Sequence, residues 1–186
     1  MDLAINQRNS GARWSLAGGL AGIGLARVTH VAAGADILAR RRCGRIVTSR
    51  GRLDAVYGRW WPHLGNLLQV LWEMNFRTVR RDHCELFYHQ PLSSPGFLTL
   101  SYVHAGPGTS IATLYAAGLV LDEIARLRRA KAIVTNITND RISDRSLIRW
   151  GWEAHCANLA GRHFIKRFYG NYPSINPSWR QRLTLD

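Results

Sequence analysis

Lysine is nearly absent from this sequence: Lys131 and Lys166 are the only two, although lysine and arginine together number 25. Acidic residues number only 12, so the formal net charge is +13. The arginines are dispersed along the chain, which is typical of a solvated cationic surface. The alternative is an anionic partner, namely a phosphate cofactor, nucleic acid or acidic lipid. Nucleic acid is therefore possible as a partner but is not favoured.

Cysteine is also scarce, and Cys43, Cys84 and Cys156 are too far apart to form a Cys-x-x-Cys motif. Their odd number and wide spacing argue against a disulfide scaffold and a structural zinc site. The histidines match no metal-binding spacing either, so we expect no metal. Reduced, inert, buried thiols in a cytoplasmic protein are the interpretation that fits.

Charged side chains other than histidine are missing from the whole stretch between Leu86 and Leu121. A protein this basic can hold such a stretch only by burying it. Pro91, Pro95 and Pro107 interrupt it, whereas a membrane span needs about 20 unbroken apolar residues. We therefore predict a buried core and no integral membrane span.

The 186 residues suit one main domain with short flanking segments. Residues 1–43 are expected to form a loosely docked N-terminal extension. Their thin Ala- and Gly-rich run after two arginines has the outline of a secretory signal peptide, which is the alternative. Residues 44–170 form the predicted domain, and residues 171–186, with Pro173 and Pro177, form a predicted tail.

Hydrophobic periodicity predicts an α/β (α+β) fold with a mixed central sheet flanked by helices. A helix between two later strands predicts that those strands are parallel. Thr109 or Ser110 is the expected cap of that helix, and Ser143 the expected cap of a short one ending at Gly151. The predicted strands are 44–49, 84–89, 97–105, 132–138 and a closing antiparallel pair, 152–156 with 163–168; the predicted helices are 51–75, broken near Pro62 and Gly65, 110–130 and 143–151.

The turn that follows the strand 97–105 is the candidate ligand site. A glycine-containing turn that enters a helix directs free backbone N–H groups, and the positive end of the helix dipole, at one point. Such a turn can bind phosphate, although many turns of this kind only reverse the chain. The residues at this point are Gly106, Gly108, Thr109 and Ser110.

This layout resembles the GCN5-related N-acetyltransferases, which have the acyl-CoA N-acyltransferase fold, over residues 44–170. The family's turn reads Gln or Arg, two residues, Gly, one residue, then Gly or Ala. One register places Gly108 and Ser110 on the small positions and Ala105 where Gln or Arg is expected. The other register uses Gly106 and Gly108 and places Val103 there.

The second half of the resemblance lies in NDRISDRSLIRWGW, where Gly151 is followed by an aromatic residue, Trp152. Asn139 or Asp140 takes the family's Asn position. Leu147 stands where the family often has a Tyr that protonates the departing thiolate. The usual proton donor is therefore missing from this sequence.

The resemblance implies acyl transfer from acetyl-CoA, or another acyl-CoA as co-substrate, to the amine of a small molecule or protein. Glu85 and His104 are the candidate bases. Glu85 could instead pair with Arg80 or Arg81, and His104 could be a hydrogen-bonded turn histidine. The rival function is a catalytically inactive basic domain of the same fold that binds nucleic acid or a protein. The implied cofactor-binding residues are Val103, Ala105, Gly106, Gly108, Thr109, Ser110, Asn136 and Asn139.

Overall fold

A single sheet with helices packed on it forms the centre of the protein in a computed structural model that describes residues 25–60, 82–137 and 142–186. Within those residues the sheet has eight strands in the order β1-β3-β2-β4-β5-β6-β8-β7. The strands are β1 (Ala26–Val28), β2 (Cys43–Ser49), β3 (Arg52–Arg59), β4 (His83–His89), β5 (Phe97–Ala105), β6 (Ala132–Ile137), β7 (Glu153–Ala154) and β8 (Arg162–Arg167). The helices are α1 (Ala35–Arg40), α2 (Ile111–Leu127), α3 (Asp144–Arg149) and α4 (Pro177–Arg182).

The mixed α/β class predicted from the sequence is confirmed, and so are several elements of its second half. β5 and β6 are parallel, while β7 and β8 form the antiparallel closing pair. Ser110 caps α2 and Ser143 caps α3, each by accepting a hydrogen bond from a backbone N–H three residues later. The two helix starts were predictable because each is preceded by a residue whose side chain accepts a hydrogen bond from a free helix amide.

The helix predicted over residues 51–75 is wrong where the structure describes it. Residues 52–59 form β3, which pairs with β2 as a hairpin, and residues 61–75 lie outside the described residues. Arg50 and Gly51 connect the two strands with φ angles of 50° and 69°. Two consecutive positive φ angles match the right-handed twist of paired strands, which is why such a turn closes a hairpin.

The core is built where α2 lies across the sheet. Ala116, Val120 and Ile124 of α2 are fully buried, together with Ile46 of β2 and Leu98 of β5. Their apolar surface is removed from water, which is the main favourable term in folding. Of the charge-free stretch predicted to be buried, Leu98, Ala116 and Val120 lie in this core, and the prediction is right there. It is wrong for Leu92, Tyr102 and Ile111, which are exposed.

Both flanking segments contribute to the same core. Of the expected extension, residues 25–43 supply β1, which pairs with β3, and α1, whose Leu38 is fully buried. The expected tail supplies Leu183, which is also fully buried. The Val31 N–H donates to the Thr184 carbonyl oxygen at 2.9 Å, so the two segments contact each other directly.

None of the described helices combines the length and the apolar character needed to cross a bilayer.

Candidate functional site

The two parallel strands at the centre of the sheet diverge halfway along their length. β5 and β6 pair only from Phe97 opposite Ala132 to Leu100 opposite Thr135. Beyond that point β5 continues along β4, and β6 continues along β8. The strand ends therefore separate into a V-shaped cleft whose open side faces the turn before α2.

A cavity of about 610 Å³ occupies this cleft. It extends from β5 and the following turn, across one face of α2, to β6 and the α3 region. Its volume lies in the range of small-molecule and cofactor sites. The lining residues are Leu86, Leu100, Ser101, Tyr102, Val103, Ala105, Gly106, Pro107, Thr109, Ser110, Ile111, Leu114, Gly118, Leu121, Thr135, Asn136, Ile137, Ile142, Ser146, Leu147, Trp150 and Trp152.

The turn that closes one side of the cavity presents backbone donors. The Thr109 N–H donates to the Gly106 carbonyl oxygen at 3.0 Å, which fixes the turn. The amides of Gly108, Ile111 and Ala112 have no acceptor among the described residues. They lie at the N-terminus of a 17-residue helix, where orphan N–H groups and the helix dipole both favour an anion.

One acidic side chain already lies at this helix end. The Ser110 N–H donates to Oδ1 of Asp82 at 2.8 Å. Burial would raise the pKa of Asp82, but hydrogen bonds from Thr113 and Ser110 and the nearby Arg50 outweigh it, so the pKa is lowered. Asp82 could not be identified from the sequence, because a contact between residues 28 positions apart leaves no local signal.

The structure brings most of the predicted cofactor-binding residues to the cavity. Gly108 belongs to the same turn but is not part of the cavity lining, and Asn139 lies outside the described residues. The predicted residues that line the cavity are Val103, Ala105, Gly106, Thr109, Ser110 and Asn136.

The two predicted bases lie beside each other outside the cavity lining. Glu85 of β4 is directly opposite His104 of β5. The Glu85 carboxylate accepts a hydrogen bond from Arg45 at 3.3 Å and lies 3.3 Å from Nε2 of His83. Arg45 of β2 is therefore one partner of Glu85. The expected partners at positions 80 and 81 lie outside the described residues, so that prediction is not tested.

Leu147 lines the cavity and is buried, with only 4% of its surface exposed. It lies beside the aromatic lining residues Trp150 and Trp152. Its side chain has no proton to donate, as the sequence indicated. Hydroxyl groups are nevertheless present in the lining, and those of Tyr102 and Ser146 are among them.

Gly118 creates part of the free space in the cavity. It lies in the interior of α2, where glycine costs about 1 kcal/mol relative to alanine. A Cβ placed on it would meet no atom within 4 Å. A glycine in the middle of a helical pattern was the signal that could have identified this position from the sequence.

The cysteines differ in their surroundings. Cys84 is fully buried, and burial raises the pKa of its thiol to about 12, which makes the thiolate inaccessible at neutral pH. Cys156 is exposed, so the expectation that it is buried is wrong. Across the described parts of the chain, no three His, Cys, Asp or Glu side chains gather as a metal site would require.

Comparison with protein-family models and with curated proteins gives no match to this sequence. Among solved structures, the chain is similar to the crystal structure of a nourseothricin acetyltransferase, with 13% sequence identity and a TM-score of 0.37. The superposition covers 78% of this chain and 99% of that one. The function proposed for this protein is therefore inferred from the cleft between β5 and β6 and not from this similarity.

Proposed function

We propose that the cleft binds an acyl-CoA and that the protein transfers its acyl group to an amine. The observation that carries the proposal is the divergence of two parallel strands into a cavity at a helix N-terminus. The cavity provides an apolar channel for a pantetheine arm. The free amides of Gly108, Ile111 and Ala112 provide donors for a pyrophosphate.

The transfer itself would be a direct attack. The amine lone pair forms the new C–N bond at the thioester carbonyl, the C–S bond breaks, and CoA leaves as the thiolate. The amine loses one proton to a base, and the thiolate gains one. Glu85 and His104 are the proposed bases, acting through water because neither lines the cavity. Tyr102 and Ser146 are proposed, among the lining residues with hydroxyl groups, as proton donors to the thiolate.

A second candidate, binding without transfer, is favoured by Leu147. An alkyl group fills the position of the usual proton donor, so the thiolate would leave without that donor. The two functions share the cofactor site and differ only in turnover. Incubation with acetyl-CoA and a panel of primary amines separates them, because transfer releases CoA thiol in step with acylated amine and binding alone releases none.

The cofactor site itself can be tested at Gly118. Gly118→Leu places a side chain in the empty space, so we expect acetyl-CoA affinity to fall by at least about tenfold. Gly118→Ala is the matched control: it should retain binding and stabilise α2 by about 0.5–1 kcal/mol. Calorimetric titration and thermal unfolding measure the two effects.

Unchanged affinity in a folded Gly118→Leu protein would place the cofactor elsewhere. DNA titrated at two salt concentrations tests the rival basic-domain function. Steeply salt-dependent DNA binding together with no acetyl-CoA binding would replace the acyl-CoA proposal with that rival.

A further inference from the structure

A second cavity, of about 740 Å³, lies at the opposite end of the same strand pair. It is bordered by Phe97 and Ala132, the first residues of β5 and β6, whereas the cleft opens after the last pair of these strands. Residues 129–131, which follow α2, complete the cavity together with β8 and the segment after it. The proposed acyl-CoA function does not use this cavity.

The charge around this cavity is of one sign. Arg129, Lys131 and Arg167 line it, and no Asp or Glu does. Arg167 forms an ion pair with Glu153, which is exposed. Arg129 and Lys131 have no carboxylate within ion-pair distance among the described residues. Two positive charges are therefore left uncompensated at the cavity.

The backbone of Lys131 is held by two hydrogen bonds. Its N–H donates to the Gly96 carbonyl oxygen at 2.7 Å, and its carbonyl oxygen accepts the Phe168 N–H at 2.9 Å. Its aliphatic stem packs against Gly96. The backbone of Lys131 is thus fixed by hydrogen bonds, and its exposed side chain extends from that point at the edge of the cavity.

Aromatic rings lie beside these cations. Tyr169 is 82% exposed and Phe97 is 37% exposed, and both line the cavity. Tyr172 is fixed by a hydrogen bond from its hydroxyl to the Ala130 carbonyl oxygen at 3.0 Å. An exposed ring next to free cations is the combination that binds a base by stacking and its phosphate by charge.

We propose that this second cavity binds a nucleoside phosphate unit, with the base on Tyr169 and the phosphate at Arg129 and Lys131. The unit could belong to single-stranded nucleic acid or be a free mononucleotide. Both sources offer the same flat base and the same anion. A simple acidic peptide lacks the flat ring, so the exposed tyrosine would add nothing to its affinity.

The test measures binding of labelled oligouridine and oligothymidine, each eight nucleotides long, to the full chain by fluorescence anisotropy. Acetyl-CoA is left out of this assay, because its phosphorylated adenosine is itself a nucleoside phosphate and would compete for the second cavity. We expect Tyr169→Ala to weaken binding by about 5- to 150-fold and Tyr169→Phe to retain it. Lys131→Glu should weaken binding more than Arg40→Glu, which makes the same charge change on the exposed face of α1.

Unlabelled uridine monophosphate then identifies the source. Displacement of the oligonucleotide at comparable concentrations supports a free mononucleotide, and its failure to displace supports a strand. With one phosphate neutralised by Arg129 and Lys131, log affinity should fall with log salt at a slope of about −0.7. Absence of binding, equal effects of Lys131→Glu and Arg40→Glu, or full binding by Tyr169→Ala would each overturn the proposal. None of these results bears on acetyl-CoA binding, which is measured separately.

Discussion

Asp82 places a negative charge where the proposed cofactor would place its own. Its carboxylate accepts the Ser110 N–H at the N-terminus of α2. A carboxylate at this position stabilises the free protein through the helix dipole. The same charge repels an incoming pyrophosphate, so one residue both stabilises the empty turn and lowers its affinity for an anion.

We therefore expect Asp82→Asn to bind acetyl-CoA about two- to fivefold more tightly at low salt. The asparagine oxygen can still accept the Ser110 N–H, so only the charge is removed. Titration calorimetry measures the change, and Asp36→Asn is the control, because it removes an exposed charge on α1, which lies near the far end of α2. Equal gains in both variants would show a general charge effect and not a local one.

Because the pKa of Asp82 is lowered in the folded protein, the free energy of unfolding should depend on pH. The pKa of Asp82 is below its usual value of 3.8, so its contribution to stability is present above pH 3.8. That contribution is lost as the pH falls through the lowered, folded-state pKa. The difference in unfolding free energy between the wild type and Asp82→Asn should accordingly shrink in strong acid.

At the scale of elements, one buried ion pair joins α2 to β8. Nζ of Lys166 lies 2.6 Å from Oδ2 of Asp122, and both side chains are almost completely buried. Burial raises the pKa of Asp122 to about 6, and the nearby Lys166 opposes this rise. In the folded protein, Asp122 therefore keeps its negative charge at neutral pH only because Lys166 is present.

Lys166→Met should destabilise the protein by about 3–5 kcal/mol at pH 7, since Asp122 would be left buried without a partner. The pKa of Asp122 would rise further, so its carboxyl group would bind a proton more tightly in the folded state than in the unfolded state. The stability of the variant would then fall as the pH rises from about 4 through neutrality. In the wild type the corresponding fall ends near pH 6, at the pKa of Asp122. Denaturant unfolding between pH 4 and 8 measures this slope.

The matched control is the double variant Asp122→Leu with Lys166→Met, which replaces both charges with apolar side chains. It should recover most of the lost stability and remove the pH slope. If Lys166→Met is within about 0.5 kcal/mol of the wild type at pH 7, solvent reaches Asp122 and the pair contributes little.

The elements also show what local sequence patterns can predict. α2 and its cap at Ser110 were predictable because a cap residue precedes a long apolar run, and the parallel pair followed from the helix between its strands. Residues 52–59 were misassigned because Leu53, Val56 and Tyr57 fit a helical spacing as well as a strand. The positive φ angles of Arg50 and Gly51, which reverse the chain there, are not encoded by hydrophobic periodicity.

The candidate site was predictable to the same extent. The turn before α2 was identified because glycines precede a helix start, and six of the predicted residues line the cavity. The cavity depends in addition on the separation of β5 from β6 and on the missing side chain at Gly118. Both are tertiary features that arise only when distant segments pack together.

At the scale of the whole molecule, the two ends of the described chain hold each other in place. Beside the Val31 to Thr184 hydrogen bond, the Thr184 hydroxyl donates to the Thr29 carbonyl oxygen at 2.8 Å. Arg128, just after α2, donates to the Leu38 carbonyl oxygen at 3.1 Å and also to that of Arg41. These carbonyls lie at the end of α1, where a positive charge complements the helix dipole.

Leu183 is the test of whether this contact between the ends is part of the cooperative core. It is fully buried, so Leu183→Ala should cost about 2–5 kcal/mol through lost burial and the cavity left behind. Leu159→Ala is the control, because Leu159 is 58% exposed and its truncation should change stability by less than about 0.5 kcal/mol. One cooperative unfolding transition, shifted to lower denaturant in Leu183→Ala, shows that residues 171–186 fold with the sheet. An early, separate transition that leaves the main one unshifted would show instead that the end segments dock on a domain already complete without them.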